Sequence, residues 1–180
     1  MKEDQRIRLS KQMLRNALIS LLKEKPVNKI SIREICNTAE INRTTFYKYY
    51  GSQYDLLTDI ENHVLDTVSE GMKSGDPSER MLPGLLRFID ENAELCRLLL
   101  NNNIDPEFPK KLLNMPAIKE QLSDVMQNEA FSGYGDYIYE FLVWGGYSMI
   151  AKWLNSEKRE SPEKMAEFIN RVFGQIGMKI

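Results

Sequence analysis

A chain of 180 residues, 42% hydrophobic and 28% charged, is long enough for one large or two small domains that bury a core without covalent staples. Cys36 and Cys96 stand sixty positions apart with no CxxC spacing, and the chain holds a single His, so neither a zinc cluster nor a thiol redox motif is suggested and a reducing, cytoplasmic setting fits. The formal net charge is −2, yet residues 1–52 carry 11 Lys and Arg against 5 Asp and Glu, a net of +6, and residues 53–180 carry 13 against 21, a net of −8; the split suits a polyanion-binding segment, or uneven surface charge without a role.

Apolar residues recur at three- and four-residue intervals along nearly the whole chain, which predicts an all-α fold. The first helix presents Met13, Leu14, Ala17, Leu18, Leu21 and Leu22 and ends near Lys25-Pro26. Ser31 and Glu34 form an S-x-x-E capping box that opens a second helix with Ile32, Ile35 and Ala39 inward. After a break at Glu40-Ile41, Asn42 is placed to cap a short third helix, Arg43 to Tyr50, and Ser52 with Asp55 opens a long fourth one striped by Leu56, Leu57, Ile60, Val64 and Val68, ending near Gly71. Lys73 to Asp76 reads as a linker, and Asp76-Pro77-Ser78-Glu79 as the start of the next helix. Met81 to Leu100 is one helix or a broken pair, Asn101 to Pro109 a loop, and Lys110 to Ala130 a weaker helical stretch broken at Pro116. Asp136 to Leu154 is apolar on nearly every face, and a last helix from Ser161-Pro162 carries Met165, Phe168, Ile169, Val172, Phe173 and Ile176. The charged start of the chain lacks the apolar stretch of a signal segment, and the longest apolar run, Phe141 to Ala151, falls short of a membrane span.

Two short helices joined by a tight turn and crossed by a preceding helix make a helix-turn-helix unit, a weak signal until the second helix is read. Arg43-Thr44-Thr45-Phe46-Tyr47-Lys48-Tyr49-Tyr50 offers Phe46 and Tyr50 to the core, while its other side chains are hydroxyls, cations and phenols suited to phosphates and base edges. As a tyrosine-rich core helix it would bury phenols and a lysine that need partners. The run from Ile32 through Tyr50, continuing to Asp55-Leu56-Leu57, resembles the DNA-binding signature of the TetR family over about residues 5–60.

That resemblance implies a DNA-binding domain at residues 1–52, a connecting fourth helix reaching about residue 72, and a helical effector-binding and dimerisation domain at 73–180. It implies base or phosphate contacts by Arg33, with Ser31 near the DNA backbone; Arg43, Thr44 and Lys48 in the major groove; and Thr45, Tyr47 and Tyr49 on phosphates or bases, Asn42 being included as the residue that opens the helix. Two departures stand out. Glu40 occupies a turn position where the family commonly has glycine, so a side chain must adopt a positive φ, and Gln53 replaces a phosphate-binding lysine.

In the second domain the helix Asp136 to Leu154 and the last helix resemble the family's dimer interface, with Ile138, Leu142, Gly145, Gly146, Met149 and Trp153 on the first and Phe168 and Val172 on the second. A monomer burying the same helix internally is the alternative. An effector cavity is expected between the middle helices, from Phe88, Leu95, Leu99, Phe108 and Met126 together with Tyr137, Phe141 and Trp144, although such residues also serve as plain core. One His and no nucleophile–base pair, phosphate loop or metal-ligand cluster argue against an enzyme, and no cofactor is expected. The expected partners are a palindromic double-stranded operator, a second copy of the chain and a small-molecule effector, with no membrane. The chain then acts as a repressor released by its effector; alternatives are an activator controlled by a partner protein, or an interaction module with a vestigial helix-turn-helix.

Overall fold

The computed structural model describes residues 2–74, 81–100, 104–122 and 132–175. Every regular element among them is helical: α1 (Lys2–Leu22), α2 (Ile32–Thr38), α3 (Arg43–Tyr49), α4 (Gln53–Ser74), α5 (Met81–Glu91), α6 (Ala93–Leu100), α7 (Phe108–Leu113), α8 (Pro116–Gln121), α9 (Gly135–Leu154) and α10 (Pro162–Gln175), with a 3-10 turn at Val27–Lys29. The expected all-α fold is found, and the undecided stretch from Met81 to Leu100 is a pair of helices interrupted at Asn92. The expected helix start at Asp76 to Glu79 lies outside the described residues, as does the end of the stretch reaching Ala130.

Local chemistry sets the ends of the first elements. α1 stops before Pro26, and the capping box at Ser31 is complete: the Glu34 N–H donates to Ser31 Oγ at 3.3 Å and the Ser31 N–H to Glu34 Oε2 at 2.9 Å. Lys25 reaches Glu34 Oε1 at 2.5 Å, and that bond, ahead of those from Ser31, holds the Glu34 carboxyl down at about 2. What this depressed carboxyl contributes to α2 is therefore present above about pH 4.5 and lost as the pH falls towards 2.

The turn between α2 and α3 is a Schellman closure, with Ile41 N–H donating to Cys36 O at 2.9 Å and Glu40 N–H to Asn37 O at 3.2 Å. Glu40 has φ 54°, the left-handed conformation expected from the missing glycine. Glu40→Gly should stabilise the chain by about 1 kcal/mol. Urea denaturation checks this; a loss of stability instead would mean that the Glu40 side chain contributes more than its backbone costs.

Leu14, Leu18, Ile35, Phe46, Leu56 and Ile60 form the fully buried centre of the N-terminal unit, where α1 packs on α2 and α4 and α2 packs on α3. Met13, expected on the inner stripe of α1, lies at its solvent edge. α4 continues past this unit to pack on α5, and α5 lies along α10, with α9 against α5, α6 and α10. Two phenols on α9 fasten that helix to its neighbours: Tyr147 donates to Leu100 O at 2.5 Å and Tyr139 to Leu113 O at 2.7 Å. Both acceptors end a helix, α6 and α7, where a carbonyl has no partner in its own backbone. Among the described residues, no helix is long and apolar enough to cross a membrane.

Candidate nucleic-acid interface and interior cavity

α3 is anchored from behind by Phe46, which is fully buried, and by Tyr50, whose rings pack 5.6 Å apart. Asn42 caps its first turn by accepting the Thr44 N–H at 2.9 Å. Asn42 Oδ1 is thereby committed to the helix, and so is the Ser31 hydroxyl, which donates to Glu34 Oε2 at 2.8 Å. With Phe46 turned in, the helical period turns Arg43, Thr44, Tyr47 and Lys48 out, and all four are exposed. Thr45 and Tyr49 are half-buried on the flanks, Arg33 is exposed on α2, and Gln53 is half-buried at the first residue of α4. α3 contains no acidic side chain.

Long-range contacts that sequence periodicity does not signal hold this helix in place. Asp59 Oδ2 on α4 receives Arg15 Nε of α1 at 2.7 Å and the Tyr50 hydroxyl at 2.8 Å, so one carboxylate ties three elements at the end of α3. Burial, then the bond to Asp59, pushes the Tyr50 phenol above its ordinary range. Lys11 of α1 lies 5.9 Å from the centre of the Tyr49 ring and 5.7 Å from that of Tyr50, adding a cation beside α3. Tyr54, exposed on the first turn of α4, is a further phenol missed in the sequence. Asp59→Ala should destabilise the chain by about 2 kcal/mol, because it leaves a partly buried guanidinium and phenol without their acceptor. A urea midpoint unchanged from the parent would remove Asp59 from this role.

In the C-terminal region an apolar cavity of about 110 Å³ lies among α5 to α10. Leu82 and Leu113 belong to its wall, with Leu142, Gly146 and Ile150 of α9 and Phe173 of α10. A second, about 20 Å³, lies between α4 and α5–α7 and includes Val64, Phe88, Leu99 and Phe108. The cavity residues expected from the sequence are thus divided. Phe88, Leu99 and Phe108 line the small void, Leu95 is half-buried in the packing, Met126 lies outside the described residues, and Tyr137, Phe141 and Trp144 are exposed.

The expected interface residues divide as well. Leu142 and Gly146 face the cavity, and Trp153 is buried with its Nε1 donating to Glu160 O at 2.8 Å. Ile138, Met149 and Val172 are half-buried, and Phe168 is 44% exposed. An added Cβ at Gly145 meets nothing within 4 Å, whereas one at Gly146 comes 3.7 Å from the Phe173 ring. Tyr137 (75% exposed), Phe141 (59%) and Trp144, expected at the cavity, thus point outward, on the side where Gly145 is also open, while Leu142 and Gly146, expected at the interface, line the cavity. A helix apolar all round carries no hydrophobic periodicity from which to read its phase. Cys36 and Cys96 are buried, and burial pushes the Cys96 thiol up to about 12, leaving it little thiolate for reaction. Among the described residues, no group of His, Cys, Asp or Glu is arranged to hold a metal ion.

Residues 14–60 match the family model described as bacterial regulatory proteins, tetR family, and residues 76–175 match one described as transcriptional regulator C-terminal region, of TetR type. The chain belongs to the TetR family of bacterial transcriptional regulators. Among curated proteins, it is 20% identical over 171 residues to the uncharacterised HTH-type transcriptional regulator YxbF of Bacillus subtilis, which takes in 90% of this chain and 44% of that protein. It is 33% identical over 86 residues to the HTH-type dhaKLM operon transcriptional activator DhaS of Lactococcus lactis, 47% of this chain and 45% of that one. The chain spans less than half the length of these two relatives. In fold it is similar to a TetR transcriptional regulator from Streptococcus agalactiae, at TM-score 0.72 and 21% identity over 94% of this chain and 96% of that one. A structure of the dihydroxyacetone kinase operon activator DhaS superposes at TM-score 0.63 and 21% identity, over 93% and 96% of the two chains.

Proposed function

We propose that this TetR-family chain binds a palindromic double-stranded DNA site as a homodimer, reads it with α3, and changes its DNA affinity when an effector enters the C-terminal domain. In this reading residues 1–52 form the DNA-binding domain, α4 the connection, and residues 73–180 the effector and dimerisation domain. The observation that carries it is the solvent face of α3: Arg43, Thr44, Tyr47 and Lys48 stand exposed on one acid-free helix whose opposite side is locked into the core by Phe46. Such a face supplies phosphate donors and groups able to address base edges, and a two-fold dimer presents it to two half-sites. The exposed aromatic stripe of α9, with Phe168 of α10 and the open Gly145, supports the dimer. Release of a repressor by its effector is one sign of control; the description of DhaS as an operon activator favours a second reading in which the bound dimer activates.

Duplex binding tests the assignment of α3. Lys48→Ala is expected to change base preference as well as affinity, by about 1 to 3 kcal/mol at one base pair, because a groove-facing ammonium can address guanine acceptors. Tyr49→Phe is expected to weaken all duplexes alike, since a phosphate contact carries no sequence information. Equal losses for Lys48→Ala on selected and scrambled duplexes, measured at fixed salt, would take Lys48 out of the groove.

A further inference from the structure

Beyond Asp4, α1 is as free of acidic side chains as α3: to its end at Leu22 it holds Arg6, Arg8, Lys11 and Arg15 and no Asp or Glu. Arg15 is paired with Asp59 of α4. Lys11, one turn earlier, has no carboxylate partner among the described residues. It stands on the inner side of α1, at the helical spacing of half-buried Ile7 and fully buried Leu14 and Leu18. Its side chain is half-buried and carries the ammonium to the end of α3, 5.9 Å from the centre of the Tyr49 ring and 5.7 Å from that of Tyr50.

Lys48 of α3 lies 5.8 Å from the centre of the same Tyr49 ring. Two ammoniums thus approach one phenol, whose hydroxyl, unlike that of Tyr50, has no hydrogen-bond partner among the described residues. At the outer limit of a cation–ring attraction, about 6 Å, the ring takes up little of either charge and leaves the N–H donors free. Like charges gathered on one ring repel, and an anion held at the Tyr49 hydroxyl relieves both.

We propose that Lys11 is a DNA-contacting residue: α1 carries its ammonium to the same backbone phosphate as the Tyr49 hydroxyl, so that one phosphate of each half-site is held from two helices while Lys48 addresses base edges. This rests on the DNA-binding role proposed above and adds α1 to the elements that perform it. The test is the slope of duplex affinity against salt concentration, since each phosphate neutralised by a side chain contributes about 0.9 to the log–log slope whatever the base sequence. Lys11→Met keeps an apolar stem against the two rings and removes the charge. For a dimer on a palindrome it should lower the slope by about two, and the affinity in about 0.1 M salt by at least about ten-fold, equally on selected and scrambled duplexes. Lys11→Arg should keep the parental slope. Lys158→Gln, which removes a charge from the exposed segment between α9 and α10, should leave it untouched. A Lys11→Met chain with the parental slope overturns the proposal even where its affinity falls, because packing on the rings is then all that Lys11 supplies. A slope lowered as much by Lys158→Gln overturns it too, the effect being one of net charge. A parent that binds no duplex takes away the DNA-binding role itself, whereas a parent that binds, with Lys11→Met keeping its slope, removes Lys11 alone. If Lys11→Met does not fold, Lys11→Gln is titrated in its place.

Discussion

On the proposed dimer, Phe141→Glu combined with Gly145→Leu should yield a folded, helical monomer without preference for a palindromic duplex. Both positions lie on the outward side of α9, where Phe141 is largely exposed and an added Cβ at Gly145 touches nothing, so the isolated chain tolerates the changes. In a two-fold interface each substitution occurs twice. A buried, unpaired carboxylate and an overpacked helix contact together cost several kcal/mol per dimer, enough to raise the dissociation constant by about three orders of magnitude or more. A monomer offers one copy of α3 and half the phosphate contacts, so affinity for the palindrome should fall about 10³-fold, towards that for unrelated DNA. Sedimentation and duplex titration check both parts. A variant that still sediments as a dimer places the interface on another surface.

Lys111→Met should destabilise the chain by about 2 to 3 kcal/mol at pH 7.5 and by much less at pH 5. Glu61 of α4 is only 2% exposed, accepts Lys111 Nζ at 2.8 Å through Oε2, and receives no hydrogen bond on Oε1. Burial already raises its pKa above the ordinary carboxylate value even with Lys111 beside it. A carboxyl whose folded pKa is raised favours folding at low pH and withdraws that support as the pH rises through the folded value. Without the lysine the same curve moves to higher pH, which gives the variant its deficit at neutrality. Glu61→Gln, close in shape and uncharged, should cost under about 1 kcal/mol, since Lys111 keeps Asp105 at 2.8 Å. Urea midpoints at the two pH values measure this. A deficit for Lys111→Met that is the same at both would mean that Glu61 does not take up the proton.

The N-terminal unit was readable because its determinants are local. The Ser31–Glu34 and Ser52–Asp55 caps, Asn42 before α3, and the positive φ forced on Glu40 each depend on residues within a few positions of one another. The side of α3 that faces the core follows from Phe46, the single large apolar side chain at its centre. What could not be read depends on distance along the chain. Asp59 collects Arg15 from forty-four positions away, Glu61 collects Lys111 from fifty, and Lys11 meets the rings of Tyr49 and Tyr50, none of which leaves a periodic trace. α9 was legible as a helix but not in its rotation, because aromatic and aliphatic residues score alike in a hydrophobic pattern, whereas Leu142, Val143, Gly146, Tyr147 and Ile150 face the cavity and Tyr137, Phe141 and Trp144 do not. That is why Tyr137, Phe141 and Trp144, expected at the cavity, are exposed, and Leu142 and Gly146, expected at the interface, line the cavity.

Gly145 and Gly146 are consecutive yet meet different surroundings, the first open space and the second Phe173 and the cavity. In the proposed dimer, one turn of α9 is thus shared by the cavity and the face assigned to a second copy. Any guest that shifts this turn alters how well two copies fit, and by the symmetry of linkage the fit between copies alters how well the guest is held. The dose–response curve of such a regulator is then not fixed by the guest alone. Its half-point should drift with the number of protein molecules present, so that a cell rich in the regulator and one nearly empty of it would respond to the same concentration of inducer differently.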